Sequence, residues 1–288
     1  MDLPKILEVT TTRTAAFKQI IQIMSKFVSE CNLVFVQPND NDKTKGGIRC
    51  QRLTNNKEVL FKLNLAAANF ECFKCDEPEI RVGLDIHKLS KKLKMINDGD
   101  PITIYMNHNN RNILYIDAWS KNNYNNEKTE IEISLLDIAN FEMPIPKTLF
   151  QNKISMASGQ FHTICRKLHN NYEHVEIMSQ CNEIMFTGYD EESKVKISHQ
   201  DENCTVKDNV ENQIIKSSFN LRSLVNIGNC NKLCNTIDIY FKNDFPLVLV
   251  ISVATLGKFY IFVSPIMTPD KETPIETTPN QVSLNEEI

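Results

Sequence analysis

An α+β architecture of two similar halves is what this sequence predicts, on three observations. Four segments carry apolar residues at helical spacing. They recur roughly 60 to 72 positions apart, each followed by short stretches of strand character. An extended stretch with two close prolines separates the halves. Recurrence of a helix with its own strands marks a repeated supersecondary unit, and 288 residues can bury two cores of ordinary domain size.

In chain order, the first helical segment sets Phe17, Ile20, Ile21, Met24, Phe27 and Val28 on one side, with Lys18, Gln22 and Ser25 opposite. Residues 59–65 read as a strand. The second helical segment aligns Ile86, Leu89, Leu93 and Ile96, with Lys88, Lys91 and Lys92 between them and Lys94 close by, which makes it the most basic helix of the four. Strands are expected over 102–106 and 113–116. From Glu132 to Phe150, Phe141, Met143 and Ile145 alternate with Glu142, Pro144 and Pro146, a pattern that excludes a helix interior and predicts an extended strap.

Past the strap, a third helix is expected to open at Ser158 as its N-cap and to bury Phe161, Ile164, Cys165 and Leu168, leaving Arg166 and Lys167 polar. The fourth is expected from about Ser218 to Gly228, with Leu221, Leu224 and Val225 inside and Arg222 outside. Strands at 184–186 and 237–241 and a long apolar run over 245–263 broken at Gly257 complete the second half. The expected organisation is an N-terminal domain over 1–131, a connecting loop over 132–150, a C-terminal domain over 151–266 and a disordered Thr-, Pro-, Glu- and Asn-rich tail over 267–288.

Composition narrows the class. No run of about 18 uncharged apolar residues is present, and Met1–Lys5 lacks the basic start of a signal peptide, so a soluble intracellular protein with no membrane partner is expected. Nine cysteines, odd in number and scattered, fit reduced thiols rather than a disulfide framework. A net charge of -4 argues against a simple basic nucleic-acid binder, so the placement of the cations matters more than their sum.

Catalytic chemistry finds little support. Cys72 and Cys75 form a C-x-x-C pair without a second pair of matching spacing; Cys230 and Cys234 have three residues between them, and His87 falls in a different element. His169 and His174 flank a polar loop near Cys165 and read as exposed loop histidines. Nucleotide-loop, nucleophile-elbow and zinc-protease motifs are missing, and eight glycines leave little for a phosphate cradle. Asp98 and Asp100 are the one close acidic pair beside basic residues that a nuclease would use, and they fall in an expected helix-to-strand turn. No metal, cofactor or enzymatic activity is expected. In contrast, Lys18, Arg166, Lys167 and Arg222 join the lysine helix in putting cations on the polar faces of all four helices, as a shared phosphate-binding surface requires.

Several local motifs resemble the eukaryotic sliding clamps, the proliferating cell nuclear antigen family, from about Ile6 to Ile266. Gly47-Ile-Arg-Cys-Gln-Arg-Leu53 is similar to the family's G-V-x-L-Q-x-M, and Leu84 with Leu89-Ser90-Lys91 and Leu93-Lys94 resembles its L-x-x-M-S-K-I-L-K helix. Leu135-Leu136-Asp137-Ile138 followed by Ile145-Pro146 resembles its interdomain connecting loop, with Met143-Pro144 in place of Leu-Gly. Met156-Ala-Ser-Gly-Gln-Phe161 through Ile164-Cys165-Arg166 lies close to M-P-S-G-E-F-x-x-I-C-R, and Asp244-Phe-Pro246-Leu247 resembles D-V-P-L.

This resemblance implies a ring-forming DNA clamp fold, antiparallel sheets outside and helices inside. It further implies a non-enzymatic processivity factor that encircles double-stranded DNA, is opened by a clamp loader, recruits DNA polymerase and other clamp-binding-motif proteins, and assembles as a homotrimer. Its place would be the nucleus, or a viral replication compartment if the source is a large DNA virus. The alternatives are a checkpoint-type hetero-oligomeric subunit or a monomeric viral processivity factor. Carried over residue by residue, the DNA-facing set is Lys18, Lys91, Lys94 and Arg166, with Lys88, Lys92 and Arg222 beside it. The partner-peptide pocket is Leu53, Leu60, Met143, Ile145, Pro246, Phe262 and Ser264. Lys57 stands where the family has a histidine beside that pocket, and a non-lysine at or near Cys181 replaces the family's modifiable lysine. Gln281-Val-Ser-Leu284 resembles the start of a clamp-binding peptide without its aromatic pair.

Overall fold

A computed structural model describes residues 4–38, 46–120, 127–146, 148–150, 152–180, 183–200, 214–266 and 282–283. The chain packs into two compact units. The first takes Met1–Asn55, Phe61–Met143 and Ser252–Phe259; the second takes Asn56–Leu60, Pro144–Ile251 and Tyr260–Ile288.

The first unit contains β1 (Lys5–Thr11), α1 (Thr14–Met24), β2 (Glu30–Val36), β3 (Gly47–Leu53), most of β4 (Val59–Ala66), β5 (Cys72–Cys75), β6 (Glu79–Asp85), α2 (Ile86–Leu93), β7 (Ile102–Asn107), β8 (Asn110–Trp119) and β9 (Lys128–Ser134). One antiparallel sheet runs β5-β1-β7-β8-β9, and β4-β3-β2-β6 are neighbours in another. Register explains the first sheet's inner face. Val9 pairs with Ile104, Ile104 with Ile116 and Ile116 with Ile131, and all four are buried. Alternation along each strand sends the polar partners to the other face.

Helix α1 buries Phe17, Ile20, Ile21 and Met24, the i, i+3, i+4, i+7 stripe expected from the sequence. It ends at Met24 rather than continuing to Val28: the Lys26 and Phe27 amides turn back onto the Ile23 and Met24 carbonyls three residues before them, the 3-10 pattern that tightens a last turn. Helix α2 packs against α1, β2 and β6 and buries Ile86, Leu89 and Leu93. Its N-cap is Asp85, whose carboxylate accepts from the Lys88 amide at 2.9 Å.

The second unit contains β10 (Leu149–Phe150), β11 (Asn152–Ala157), α3 (Ser158–His169), β12 (His174–Gln180), β13 (Glu183–Tyr189), β14 (Lys194–Gln200), β15 (Ile215–Asn220), α4 (Leu221–Gly228), β16 (Thr236–Phe241), most of β17 (Leu247–Val253), the second half of β18 (Gly257–Val263) and β19 (Val282–Ser283). A four-stranded antiparallel sheet runs β14-β13-β12-β15, and β11, β16 and β17 are successive neighbours. Ile154, Ile239 and Leu249 form a buried row across those three strands. Phe161, Ile164 and Leu168 of α3 and Leu221, Leu224 and Ile227 of α4 fill the core where the two helices meet.

Three local expectations are corrected. Ser158 is not the N-cap of α3. Ala157 holds that position, and the buried Ser158 hydroxyl donates instead to the Cys234 carbonyl. The fourth helix begins at Leu221, not Ser218, which belongs to β15; Asn220 caps it by accepting from the Arg222 amide at 2.9 Å, and Ile227 takes the inner position while Val225 is half-buried. The long apolar run breaks over residues 254–256, with Ala254 at φ 47°, and Gly257 opens β18. Of the tail, Val282 and Ser283 pair antiparallel with Phe150 and Leu149; the rest of the expected disordered segment, including Gln281 and Leu284, lies outside the described residues.

The Asp85 cap gives a testable pH effect. The Lys88 amide, then the Lys88 side chain and charge, hold the Asp85 carboxyl below its ordinary value against an opposing effect of burial. A depressed folded pKa means the cap's contribution is complete above the unfolded value of about 3.9 and is lost as pH falls through the lower folded value. Asp85→Ala should cost about 1 kcal/mol in urea unfolding at neutral pH, and Asp85→Asn should keep a cap that no longer titrates.

Candidate nucleic-acid interface and connecting strap

In each unit the faces of the paired helices turned away from the core carry cations. On α2, Lys88, Lys91 and Lys92 are exposed, as are Lys94 and Met95 just beyond it. Lys88 lies 3.5 Å from Asp85, whereas Lys91, Lys92 and Lys94 have no ion-pair partner among the described residues. In the second unit Arg166 and Lys167 of α3 and Arg222 of α4 are exposed. An α2 whose last turn carries Lys91 and Lys92 also suits the negative end of its own dipole.

Lys18 differs from the others. Its ammonium donates to the Ile96 carbonyl and pairs with Asp98 at 2.6 Å, and its side chain is only 17% exposed. It therefore ties α1 to the turn after α2. The acidic pair in that turn is structural in the same way: the Asp98 carboxylate faces Lys18, while Asp100 is buried, its carboxylate accepting from the side-chain amide of Asn97 at 2.9 Å. Among the described residues no three His, Cys, Asp or Glu side chains converge as a metal site requires. Cys72 is exposed and Cys75 buried on β5, since residues three apart on a strand face opposite ways. Cys230 lies in a 3-10 turn after α4 and Cys234 just beyond it, and a hydrogen bond with Cys234 together with burial pushes the Cys230 thiol up. Burial does the same to Cys165 on α3. His169 ends α3 and His174 starts β12, both exposed. Cys181 lies outside the described residues.

Residues 135–143 form an extended strap on the first unit. The Leu135 amide donates to the Asn112 carbonyl and the Leu136 amide to the Gly83 carbonyl, each at 2.9 Å. Gly83 is required there, because a Cβ would stand 2.0 Å from the Leu136 carbonyl oxygen. Asn32 Nδ2 donates to the Ile138 carbonyl at 3.0 Å. Gln51 holds Met143 from both sides of the residue, Nε2 donating to its carbonyl at 2.9 Å and Oε1 accepting from its amide at 3.0 Å. Met143 itself is 40% exposed.

The sequence-derived pocket residues divide by exposure. Leu53 at the end of β3 and Met143 on the strap keep open surface in the first unit. In the second, Ile145, Pro246 and Ser264 are half-buried, and Leu60 and Phe262 are core. The Ser264 amide donates to the Glu58 carbonyl at 2.8 Å, which sets Leu60 opposite Phe262 at the ends of β4 and β18. Lys57 sits exposed in the preceding turn with φ 57°. Sequence reasoning did not single out Gln51 or Asn32, although Gln51 is the glutamine of the Gly47–Leu53 motif.

A duplicated α+β chain, with two helices and antiparallel sheets in each half, a strap between, and cations on the exposed helix faces, defines the class of clamp-type ring subunits. Comparison with known proteins agrees. Residues 6–141 match the N-terminal domain, and residues 144–266 the C-terminal domain, of proliferating cell nuclear antigen. The chain belongs to the proliferating cell nuclear antigen family. It is 47% identical over 290 residues to a probable DNA polymerase sliding clamp of Acanthamoeba polyphaga mimivirus, covering 91% of this chain and 62% of that protein; this chain thus spans less than two thirds of that relative's length. It is 25% identical to probable DNA polymerase sliding clamp 1 of Paramecium bursaria Chlorella virus 1, over 77% of this chain and 85% of that one. With the proliferating cell nuclear antigen of Chaetomium thermophilum it is 22% identical over 92% of this chain and all of that one.

Burial orders the thiols. Among the thiols of the described residues, Cys72 should react first with a thiol-specific disulfide reagent under native conditions, and Cys165 and Cys230 only on unfolding, as read by mass mapping of labelled peptides.

Proposed function

We propose that this chain is a DNA sliding clamp subunit: it encircles duplex DNA and tethers polymerase and other clamp-binding proteins to it. The observation that carries the reading is that Lys91 and Lys92 of α2, Arg166 of α3 and Arg222 of α4 are exposed on an acidic chain and have no ion-pair partner among the described residues. Lysine and arginine placed on several helices neutralise phosphates without reading bases, so the ring stays bound yet translates. The role is topological, and a clamp loader is needed to open the ring. Such a factor works wherever the genome is copied, in the nucleus or at a viral replication site.

Ring closure needs two complementary edges on each copy, and β9 and β14 supply them. Both are edge strands of their sheets among the described residues. β9 exposes Glu130 and Glu132 beside the buried Ile131 and Ile133; β14 exposes Lys194 and Lys196 and leaves Val195 43% exposed. Head-to-tail pairing of β9 on one copy with β14 on the next joins acidic to basic side chains and covers Val195. This heterologous contact closes after three copies. The residues assigned to partner-peptide recognition are Leu53 and Met143 of the first unit and Leu60, Ile145, Pro246, Phe262 and Ser264 of the second.

Light scattering across a dilution series tests the assembly. A mass three times that of the chain supports the self-trimer, and a monomer or dimer at every concentration sinks it in favour of a hetero-oligomeric or monomeric factor. Glu130→Lys with Glu132→Lys should dissolve the trimer, and adding Lys194→Glu and Lys196→Glu should restore it. Replacing Lys91, Lys92 and Lys94 by Ala should weaken binding to linear duplex DNA. The slope of log affinity against log salt should then flatten by about 0.9 for each phosphate that is no longer neutralised.

A further inference from the structure

We propose that Gln51, assisted by Asn32, is a positioning residue that holds the strap open for an extended peptide to pair with its main chain between Ile138 and Met143. The inference rests on the partner-docking reading above and specifies how the site is kept ready. A primary amide that both donates to and accepts from one residue's main chain imitates a neighbouring β-strand. Only one orientation of the Gln51 amide satisfies both contacts, so the pairing fixes that side chain as well. Asn32 fixes the other end through the Ile138 carbonyl alone.

Between these two clips the main-chain groups of Ala139, Asn140 and Phe141 make no hydrogen bond among the described residues. Ala139 and Asn140 are exposed, and so is Glu142, which meets Arg81 only at 3.8 Å. The strap is thus a short extended template, pinned at both ends and unpaired in the middle, with the Met143 thioether beside it as an apolar contact. Peptides add to such a template through main-chain bonds, and holding it in its bound form beforehand removes the ordering cost from the binding step. Neither clip residue has to touch the peptide.

The test combines amide hydrogen exchange on the free protein with binding of a labelled synthetic clamp-binding peptide that carries adjacent phenylalanines in its helical turn. Gln51→Ala should speed exchange at the Met143 amide, leave the unfolding midpoint and the oligomeric mass unchanged, and weaken peptide binding roughly tenfold, mostly through faster dissociation. Asn32→Ala should act on peptide binding in the same direction, more weakly. Faster exchange with unchanged peptide affinity would overturn the positioning role, and unchanged exchange would overturn the clip itself. Failure of the unsubstituted protein to bind the peptide would instead overturn the docking reading, with the exchange result still deciding whether Gln51 holds the strap.

Discussion

Burial of one apolar stripe on each of four helices against antiparallel sheets is the constraint on which the rest of the protein depends. Phe17, Ile20 and Ile21 in the first unit and Phe161, Ile164 and Leu168 in the second leave each helix no choice about which face meets the core. The opposite face is then fixed too. Whatever cations the sequence places between those apolar positions must project outward, so Lys91, Lys92, Arg166 and Arg222 owe their exposure to the packing of their neighbours. An acidic protein gains local basic faces in this way without changing its net charge.

The same packing distinguishes cations that are free from cations already used. Lys18 lies on the polar side of α1, but the turn after α2 comes within its reach, and the Ile96 carbonyl and the Asp98 carboxylate take up its donors. With Asp98 72% exposed the ion pair adds little stability, and the contact ties α1 to the turn after α2. Lys91, Lys92 and Lys94 meet no such acceptor among the described residues.

The strap shows how irregular chain can be held without secondary structure. Side-chain amides from β2 and β3 supply the pairing that a neighbouring strand would have given. Main-chain groups are satisfied at both ends of the strap, and those of Ala139, Asn140 and Phe141 between them make no hydrogen bond among the described residues.

Much of this was legible in the sequence. The helical periods placed all four helices, the proline pair marked the strap, and the motifs around Gly47, Met156 and Asp244 identified the family. Periodicity reports which face is buried, so it locates a helix well and its ends poorly: the caps at Ala157 and Asn220 depend on which backbone amides find acceptors, which single-residue preferences do not decide. What only the tertiary structure decided is partnership across long sequence separations. Gln51 meets Met143, Lys18 meets Asp98 and Ser158 meets Cys234 because sheet and helix packing brings distant residues within hydrogen-bond reach. The sequence by itself determined the fold class, the duplication and the outward-facing cations, because these follow from local apolar patterning; which polar groups are spent inside the molecule and which remain open is set by three-dimensional proximity.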